Sequence, residues 1–129
     1  MYVGSSVSSL VDVLASLREN VMGVSESVLS TTDGLLVAAD ADTVQPEAVA
    51  ALAAATLGLG ARMAEQAGAG ALRDVVVRCG GGHVVVLAVG ERALLSILGD
   101  EGLDVAALQR ATPALAEELA GLLEGDVPV

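Results

Sequence analysis

Apolar residues recur at helical spacing in two stretches of the chain, near its start and near its end, and each stretch predicts an α-helix. The first helix covers about residues 6–21 and stops at Gly23. Pro46 and Glu47 suit the first turn of a second helix that runs to about Gln66, because proline lacks an N–H that would be unpaired there and glutamate complements the helix dipole. The apolar positions of the first helix are Val7, Leu10, Val11, Leu14, Leu17 and Val21.

The third helix contains an internal proline. Asp104 is a good N-cap residue, and the apolar residues after it keep one helical phase through Pro113. An interior proline costs about 3 kcal/mol, so the pattern predicts either a kink at Pro113 or a short helix followed by a second helix that Thr112 caps. The residues in phase are Leu108, Ala111, Leu115, Leu119 and Leu122. Asp126–Val129 is predicted to be a tail.

Five runs rich in β-branched residues and leucine predict strands. Thr32-Asp33-Gly34 is a turn signal between the first two runs, because glycine accepts a positive φ without steric cost. Gly80-Gly81-Gly82 and Gly90-Glu91 separate the later runs, and such short links imply antiparallel neighbours. The predicted strands are Ser25–Thr31, Leu35–Ala39, Leu72–Cys79, His83–Val89 and Arg92–Leu98.

The order is therefore helix, two strands, helix, three strands, helix. One five-stranded antiparallel sheet with helices on both faces would bury every apolar stripe, which makes the fold α+β. We expect a single domain over residues 1–129, with its core at about 6–124.

The second helix is unusual because small residues occupy nearly every side of it. Its larger residues are not confined to one narrow stripe; they are Val49, Leu52, Leu57, Leu59 and Met63. A helix that is apolar all round is usually buried on more than one face. Such a helix needs the sheet beneath it and another helix above it, and a second copy of the chain would supply that helix. The alternative is an ordinary amphipathic helix in which alanine is filler.

Composition narrows the function classes. Hydrophobic residues make up 53% of the chain, the formal net charge is −11, and Tyr2 is the one aromatic residue. An acidic chain without basic clusters or stacking platforms is a poor nucleic-acid binder. One cysteine excludes an intramolecular disulfide and a cysteine-rich zinc site. The longest uncharged run, between Glu47 and Arg62, is shorter than a membrane span requires. We expect a cytoplasmic module that is not an enzyme and uses no cofactor or metal.

Two glycine pairs, Gly58 with Gly60 and Gly68 with Gly70, are similar to those of nucleotide-binding loops. A dinucleotide-binding fingerprint needs a strand before the glycines and a helix after them, whereas here the predicted helix comes first. The chain has no lysine, which excludes a P-loop. We interpret these glycines as close-packing or helix-ending residues.

Three other sets of residues carry possible chemistry. Cys79 and His83 could act as nucleophile and base across their hairpin, but no orienting acid is evident nearby, and we favour a hairpin with a small core thiol and an exposed imidazole. One arginine could serve a GTPase as an arginine finger, although Arg73, Arg78 and Arg92 fall on or beside strands, which lack the reach of a mobile loop. The close carboxylate sets are predicted to be solvated; they are Asp40 with Asp42, Asp100 with Glu101, and Glu117 with Glu118.

The stretch VMGVSESVLSTTDGLLVAAD, residues 21–40, resembles the opening of a bacterial Roadblock-family protein of the dynein light-chain type. The resemblance continues through the alanine-rich helix, the stretch ALRDVVVRCGGGHVVVLAVGERALLSIL and the leucine-rich last helix. It covers about residues 6–124, and its most specific part is the Asp33-Gly34 hairpin.

The resemblance implies a homodimer in which the second helices pack together and edge strands join into one sheet. It also implies a non-catalytic regulator or scaffold of a small Ras-like GTPase, with or without a sensor-kinase-like partner, and activation by reshaping of the GTPase site. The predicted dimer interface comprises Val49, Leu52, Ala53, Leu57, Gly60, Met63, Val75 and Val77. The alternative function is a small-molecule-sensing or adaptor domain, for which the close approach of an alanine-rich helix to the sheet would leave little room.

Overall fold

The computed structural model describes residues 4–125, so the predicted tail at Asp126–Val129 lies outside the described residues. The elements follow one another in the predicted order. They are α1 (Gly4–Asn20), β1 (Val24–Thr31), β2 (Leu36–Asp40), α2 (Pro46–Ala67), β3 (Asp74–Cys79), β4 (Gly82–Val89), β5 (Ala93–Asp100) and α3 (Val105–Gly125).

The five strands form one antiparallel sheet in the order β2-β1-β5-β4-β3. Consequently β2 and β3 are the edge strands, and β1 and β5 lie inside the sheet. Helices α1 and α3 contact each other and share one face, whereas α2 lies on the opposite face. This arrangement confirms the predicted α+β fold with helices on both faces of the sheet.

The hydrophobic core is concentrated on the α1/α3 face. Its cluster of buried residues contains no residue of α2, and the partly buried side chains packed against it also come from other elements. Its fully buried large members include Leu10, Leu14, Leu29, Leu95, Ile97, Leu108 and Leu119. By contrast, Ala50 and Ala53 are the buried residues of α2. Strand residues under α2, such as Val28, Val86 and Leu94, are also buried, so the two faces differ in the size of the helix side chains that cover them.

Three buried serines interrupt the apolar surface of the central strands. The hydroxyls of Ser27, Ser30 and Ser96 have no hydrogen-bond partner within the part of the chain that the structure describes. Strand alternation places Ser30 and Ser96 on the α2 face, because they alternate with Leu29 and Leu95 of the opposite face. A buried hydroxyl without a partner costs about 1–3 kcal/mol, so Ser30 and Ser96 weaken the α2 side of the sheet, whereas Ser27 shares the other face with Leu29 and Ile97.

Helix α3 runs without interruption through Pro113. The prediction of two helices separated by a Thr112 cap is wrong. The Thr112 hydroxyl instead donates to the Gln109 carbonyl at 3.2 Å, which is the carbonyl that an N–H at position 113 would have reached. The Asp104 side chain accepts a hydrogen bond from the Ala107 N–H at 3.0 Å, which confirms its predicted N-cap role.

Several predicted strand ends need correction. Leu72 and Arg73 precede β3, and Arg92 lies in the turn before β5. Cys79 pairs with Gly82, so the link between β3 and β4 is the two-residue turn Gly80-Gly81. Each correction is a displacement of one or two residues, which leaves the order of the strands unchanged.

The β1–β2 hairpin packs against α2 at a glycine. Gly34 has a φ of +91°, and a Cβ atom there would lie 3.2 Å from the Ala51 Cα and 3.5 Å from the Ala54 Cβ. The Thr31 hydroxyl donates to the Asp33 carboxylate at 2.6 Å and closes the turn. Position 34 therefore needs glycine both for its backbone conformation and for the approach of α2.

Replacing Gly34 with alanine tests this packing. We expect Gly34→Ala to lower the free energy of unfolding by about 2 kcal/mol, because both the positive φ and the contact with α2 oppose a methyl group. Gly70→Ala is the matched control: φ is +89° there, but no neighbouring atom lies within 4 Å of the added carbon. Urea unfolding at one protein concentration should show about half the loss for the control. Equal losses would contradict the packing of the hairpin against α2.

Candidate interaction surface

The outer face of α2 presents three large apolar side chains to solvent. Leu52, Leu59 and Met63 are 68%, 63% and 73% exposed. Their spacing of seven and four residues places them on one side of the helix. We call these three residues the α2 ridge. Exposed apolar groups that cluster in this way are typical of protein interaction surfaces.

The predicted interface residues divide between the two sides of α2. Leu52 and Met63 belong to the ridge and face outward. Ala53 is 4% exposed, and a Cβ atom at Gly60 would lie 2.8 Å from the Val75 side chain. The chain's own sheet therefore already covers Ala53 and Gly60. The other predicted residues are partly buried in the case of Val49, Leu57 and Val75, and 41% exposed in the case of Val77.

Leu59 is the ridge residue absent from that predicted set. Its spacing from Leu52 and Met63 is the signal that would have identified it, because residues seven and eleven apart share a helix side. Gly60 follows Leu59 directly and faces β3. The C-terminal half of the ridge thus lies beside the edge strand of the sheet.

Helix α2 is also long and apolar enough, by length and composition, to cross a membrane. Only 11% of its 18-residue apolar stretch is buried. The sequence-based expectation of no sufficiently long span considered the uncharged run alone, whereas the helix also includes the charged ends. Length and composition do not distinguish a membrane helix from a helix that is covered by another protein.

A buried carboxylate tethers the connector between β2 and α2. The Glu26 Oε1 atom accepts hydrogen bonds from the N–H groups of Asp42 at 2.6 Å, Thr43 at 2.7 Å and Val44 at 3.2 Å. The Oε2 atom accepts a hydrogen bond from the Thr43 hydroxyl at 2.6 Å. Glu26 is only 8% exposed, and both of its carboxylate oxygens accept hydrogen bonds from the connector. We call this arrangement the Glu26 clamp.

The clamp stabilises the charged form of the carboxylate. Burial raises the pKa of Glu26, but the Thr43 hydroxyl and the three N–H groups outweigh burial and lower the pKa from an ordinary 4.5 to about 2. Sequence reasoning did not single out Glu26, because its partners lie 16–18 residues away in an irregular segment.

The arginines occupy less regular positions than expected. Arg18 forms an ion pair with Asp40, with 2.8 Å between the Nε and Oδ2 atoms. Arg78 lies in β3, but Arg73 and Arg92 lie in connecting segments. The argument that strand positions lack reach therefore applies to Arg78 and not to the other two.

The remaining candidate groups do not assemble into a catalytic site. Cys79 is exposed and His83 is partly buried, so the prediction of a core thiol beside an exposed imidazole is wrong. Register pairs Cys79 with Gly82 and Arg78 with His83, and the His83 Nδ1 atom lies 3.1 Å from the Asp100 carbonyl. Among residues 4–125, no group of three or more His, Cys, Asp or Glu side chains could hold a metal.

An open depression of about 630 Å³ lies beside the C-terminal half of α2. Leu57, Ala61 and Leu72 form much of its apolar wall, and Glu65 and Arg73 are its charged residues. A second depression of about 570 Å³ lies between α3 and the start of β3. The α2 helix therefore approaches the sheet less closely at its end than its alanine content predicts.

Comparison with known proteins identifies the fold. The family model described as the Roadblock/LC7 domain matches residues 10–99. A Roadblock/LC7 domain from Streptomyces avermitilis is 25% identical, with a TM-score of 0.80 over 87% of this chain and 95% of its own. The gliding protein MglB from Thermus thermophilus is 21% identical, with a TM-score of 0.82 over 95% of this chain and 94% of its own. An MglB with a tetrameric arrangement is 22% identical, with a TM-score of 0.86 over 97% of this chain and 95% of its own. No curated protein sequence matches the chain.

The Glu26 clamp predicts a specific acid sensitivity. Because the folded pKa lies below the unfolded one, the unfolded chain binds this proton first, and the stabilisation is present above pH 4.5 and lost as the pH falls towards 2. We expect this group to contribute about 3 kcal/mol at neutral pH, of which about 2 kcal/mol is lost by pH 3. The measurement is the difference in unfolding free energy between the parent and Glu26→Gln at pH 6 and at pH 3. A difference that stays constant between these pH values would contradict the clamp.

Proposed function

The chain belongs to the Roadblock/LC7 domain family, and on that premise we propose that it is a non-catalytic, dimeric regulator or scaffold of a small Ras-like GTPase in the cytoplasm. The observation that carries the proposal is the α2 ridge. The family resemblance implies that the second helices of two copies pack together. In such a dimer, the partner's helix covers these three exposed apolar side chains.

The position of the ridge supports the dimer. Contact between Gly60 and Val75 places Leu59 and Met63 beside β3, the edge strand. A second copy related by a twofold axis could therefore cover the ridge and extend the sheet in one interface. Leu52, Met63 and Val77 would make direct contacts, and Ala53 and Gly60 would hold α2 close to its own sheet.

Regulation without catalysis agrees with the state of the candidate groups. Cys79 is exposed and the described His83 contact is to a backbone carbonyl, whereas catalysis needs a nucleophile coupled to an oriented base. We therefore favour a regulator that reshapes the GTPase site, or a scaffold that joins the GTPase to a sensor-kinase-like protein. Two copies carry a charge of about −22, twice the −11 of one chain, so the partner surface is expected to be basic.

The second candidate function is a small-molecule-sensing or adaptor domain. It is favoured by the depression beside α2, whose volume of about 630 Å³ falls within the range of ligand pockets. A thermal-shift screen distinguishes the two, because a ligand that binds only the folded chain raises its melting temperature.

The dimer can be tested at the ridge. We expect the parent chain to be dimeric in light scattering at micromolar concentration, and Met63→Glu to weaken the dimer more than about tenfold, because the substitution places a charge in an apolar interface. Met22→Glu is the matched control, since Met22 is 91% exposed in the connection between α1 and β1, and α1 lies on the other face of the sheet from α2. A parent chain that is strictly monomeric would overturn the dimer, and equal effects of the two variants would remove the ridge from it.

Regulation can be tested with a Ras-like GTPase encoded beside this chain. We expect binding that weakens by about tenfold between low and high salt, because an acidic surface meets a basic one. GTP hydrolysis should be measured with and without the chain to separate activation from scaffolding. Absence of binding together with an unchanged hydrolysis rate would reject the GTPase proposal.

A further inference from the structure

Helix α2 packs on all five strands of the sheet, but it does so mainly through small side chains. Its buried residues are Ala50 and Ala53, and the main core cluster contains none of its side chains. The sheet surface beneath it includes the buried hydroxyls of Ser30 and Ser96, which lack partners within residues 4–125. Most of the apolar area buried between α2 and the sheet therefore belongs to strand residues such as Val28, Val86 and Leu94. Small helix side chains over this surface define the position of α2 less sharply than large interlocking ones would.

The two ends of α2 add few constraints from outside the helix. At its start, Gln45 makes no side-chain capping hydrogen bond, and Pro46 has no N–H to offer. At its end, Gly68 closes the helix through backbone bonds to Ala64 and Glu65, so the cap is internal to the helix. Space is open around the positions of added Cβ atoms at Gly68 and Gly70.

The Glu26 clamp adds a polar anchor at the start of the helix to this packing. Its carboxylate projects from β1, an interior strand, and takes four hydrogen bonds from residues 42–44. Val44 precedes the first helical residue, Pro46, by two positions. Three consecutive N–H groups directed at one oxygen leave the connector little freedom, so the path into α2 is set by β1.

We propose that Glu26 is a positioning residue: it fixes the start of α2 on the sheet and thereby determines where the α2 ridge is presented. Glu26 faces the connector and makes no contact with the ridge. Its effect on a partner acts entirely through α2. The link to a partner rests on the proposed function, whereas the positioning of α2 does not.

Loss of the carboxylate has a local consequence. Without it, the N–H groups of Asp42, Thr43 and Val44 lose their shared acceptor. Asp42 and Thr43 are exposed, so these groups turn to water and the connector is no longer held against β1. Helix α2 then opens as a unit while the α1/α3 core stays closed, since no α2 side chain belongs to that core.

Hydrogen exchange on the full chain tests the positioning role. In Glu26→Ala, we expect amides of residues 42–60 to exchange at least about tenfold faster relative to the parent, and this acceleration to exceed that of β4 and β5. Glu26→Gln should be intermediate, because the side-chain carbonyl can still accept the three N–H groups. Glu47→Gln is the matched control: it removes one negative charge from the first turn of α2 without touching the clamp.

The outcomes separate the two proposals. Equal acceleration in α2 and in β4–β5, or acceleration in Glu47→Gln as large as in Glu26→Gln, would overturn the positioning role whatever the partner does. If the parent binds its GTPase, Glu26→Ala should weaken binding by about tenfold with unchanged far-ultraviolet circular dichroism. Absence of binding by the parent would reject the proposed function and leave the exchange result to decide on Glu26.

Discussion

The leucine layer between the sheet and the α1/α3 pair is the interaction on which the rest of the structure depends. Leu10 and Leu14 from α1, and Leu108 and Leu119 from α3, are almost completely buried against the sheet. Full burial of one such side chain contributes about 1.5–3 kcal/mol. The alanines that α2 buries offer much less apolar area. One face therefore supplies most of the hydrophobic stabilisation, which leaves α2 available for a different task.

This asymmetry changes the meaning of the alanine-rich helix. A helix that is apolar on every side suggests burial on several faces, yet Leu52 and Met63 are mostly exposed in the single chain. The small residues instead allow the backbone of α2 to approach Gly34 and Val75 closely. Close packing on the inner side and exposed leucine and methionine on the outer side are two separate properties, which composition alone does not distinguish.

The order of the elements and the antiparallel sheet were predictable from the sequence, because they follow from local periodicity and from short glycine-containing links. The prediction that places Ala53 and Gly60 in the dimer interface uses their small size without their phase around the helix, and in the single chain both residues face the sheet. The role of Glu26 was not predictable, since its hydrogen-bond donors depend on the path that the chain takes after β2. A hydroxyl before proline also suits a helix start, which is why the sequence suggests Thr112 as a cap. In the structure, its hydroxyl donates to the Gln109 carbonyl within one continuous helix.

The pair Thr112 and Pro113 also has an evolutionary consequence. The proline removes the donor for the Gln109 carbonyl, and the threonine hydroxyl replaces it. In a chain that already had the hydroxyl, proline could arise at position 113 without leaving that carbonyl unpaired. In the reverse order, the Gln109 carbonyl of the intermediate would depend on water as its donor, since Gln109 is exposed. Once both residues are present, each restricts which replacements selection will accept at the other.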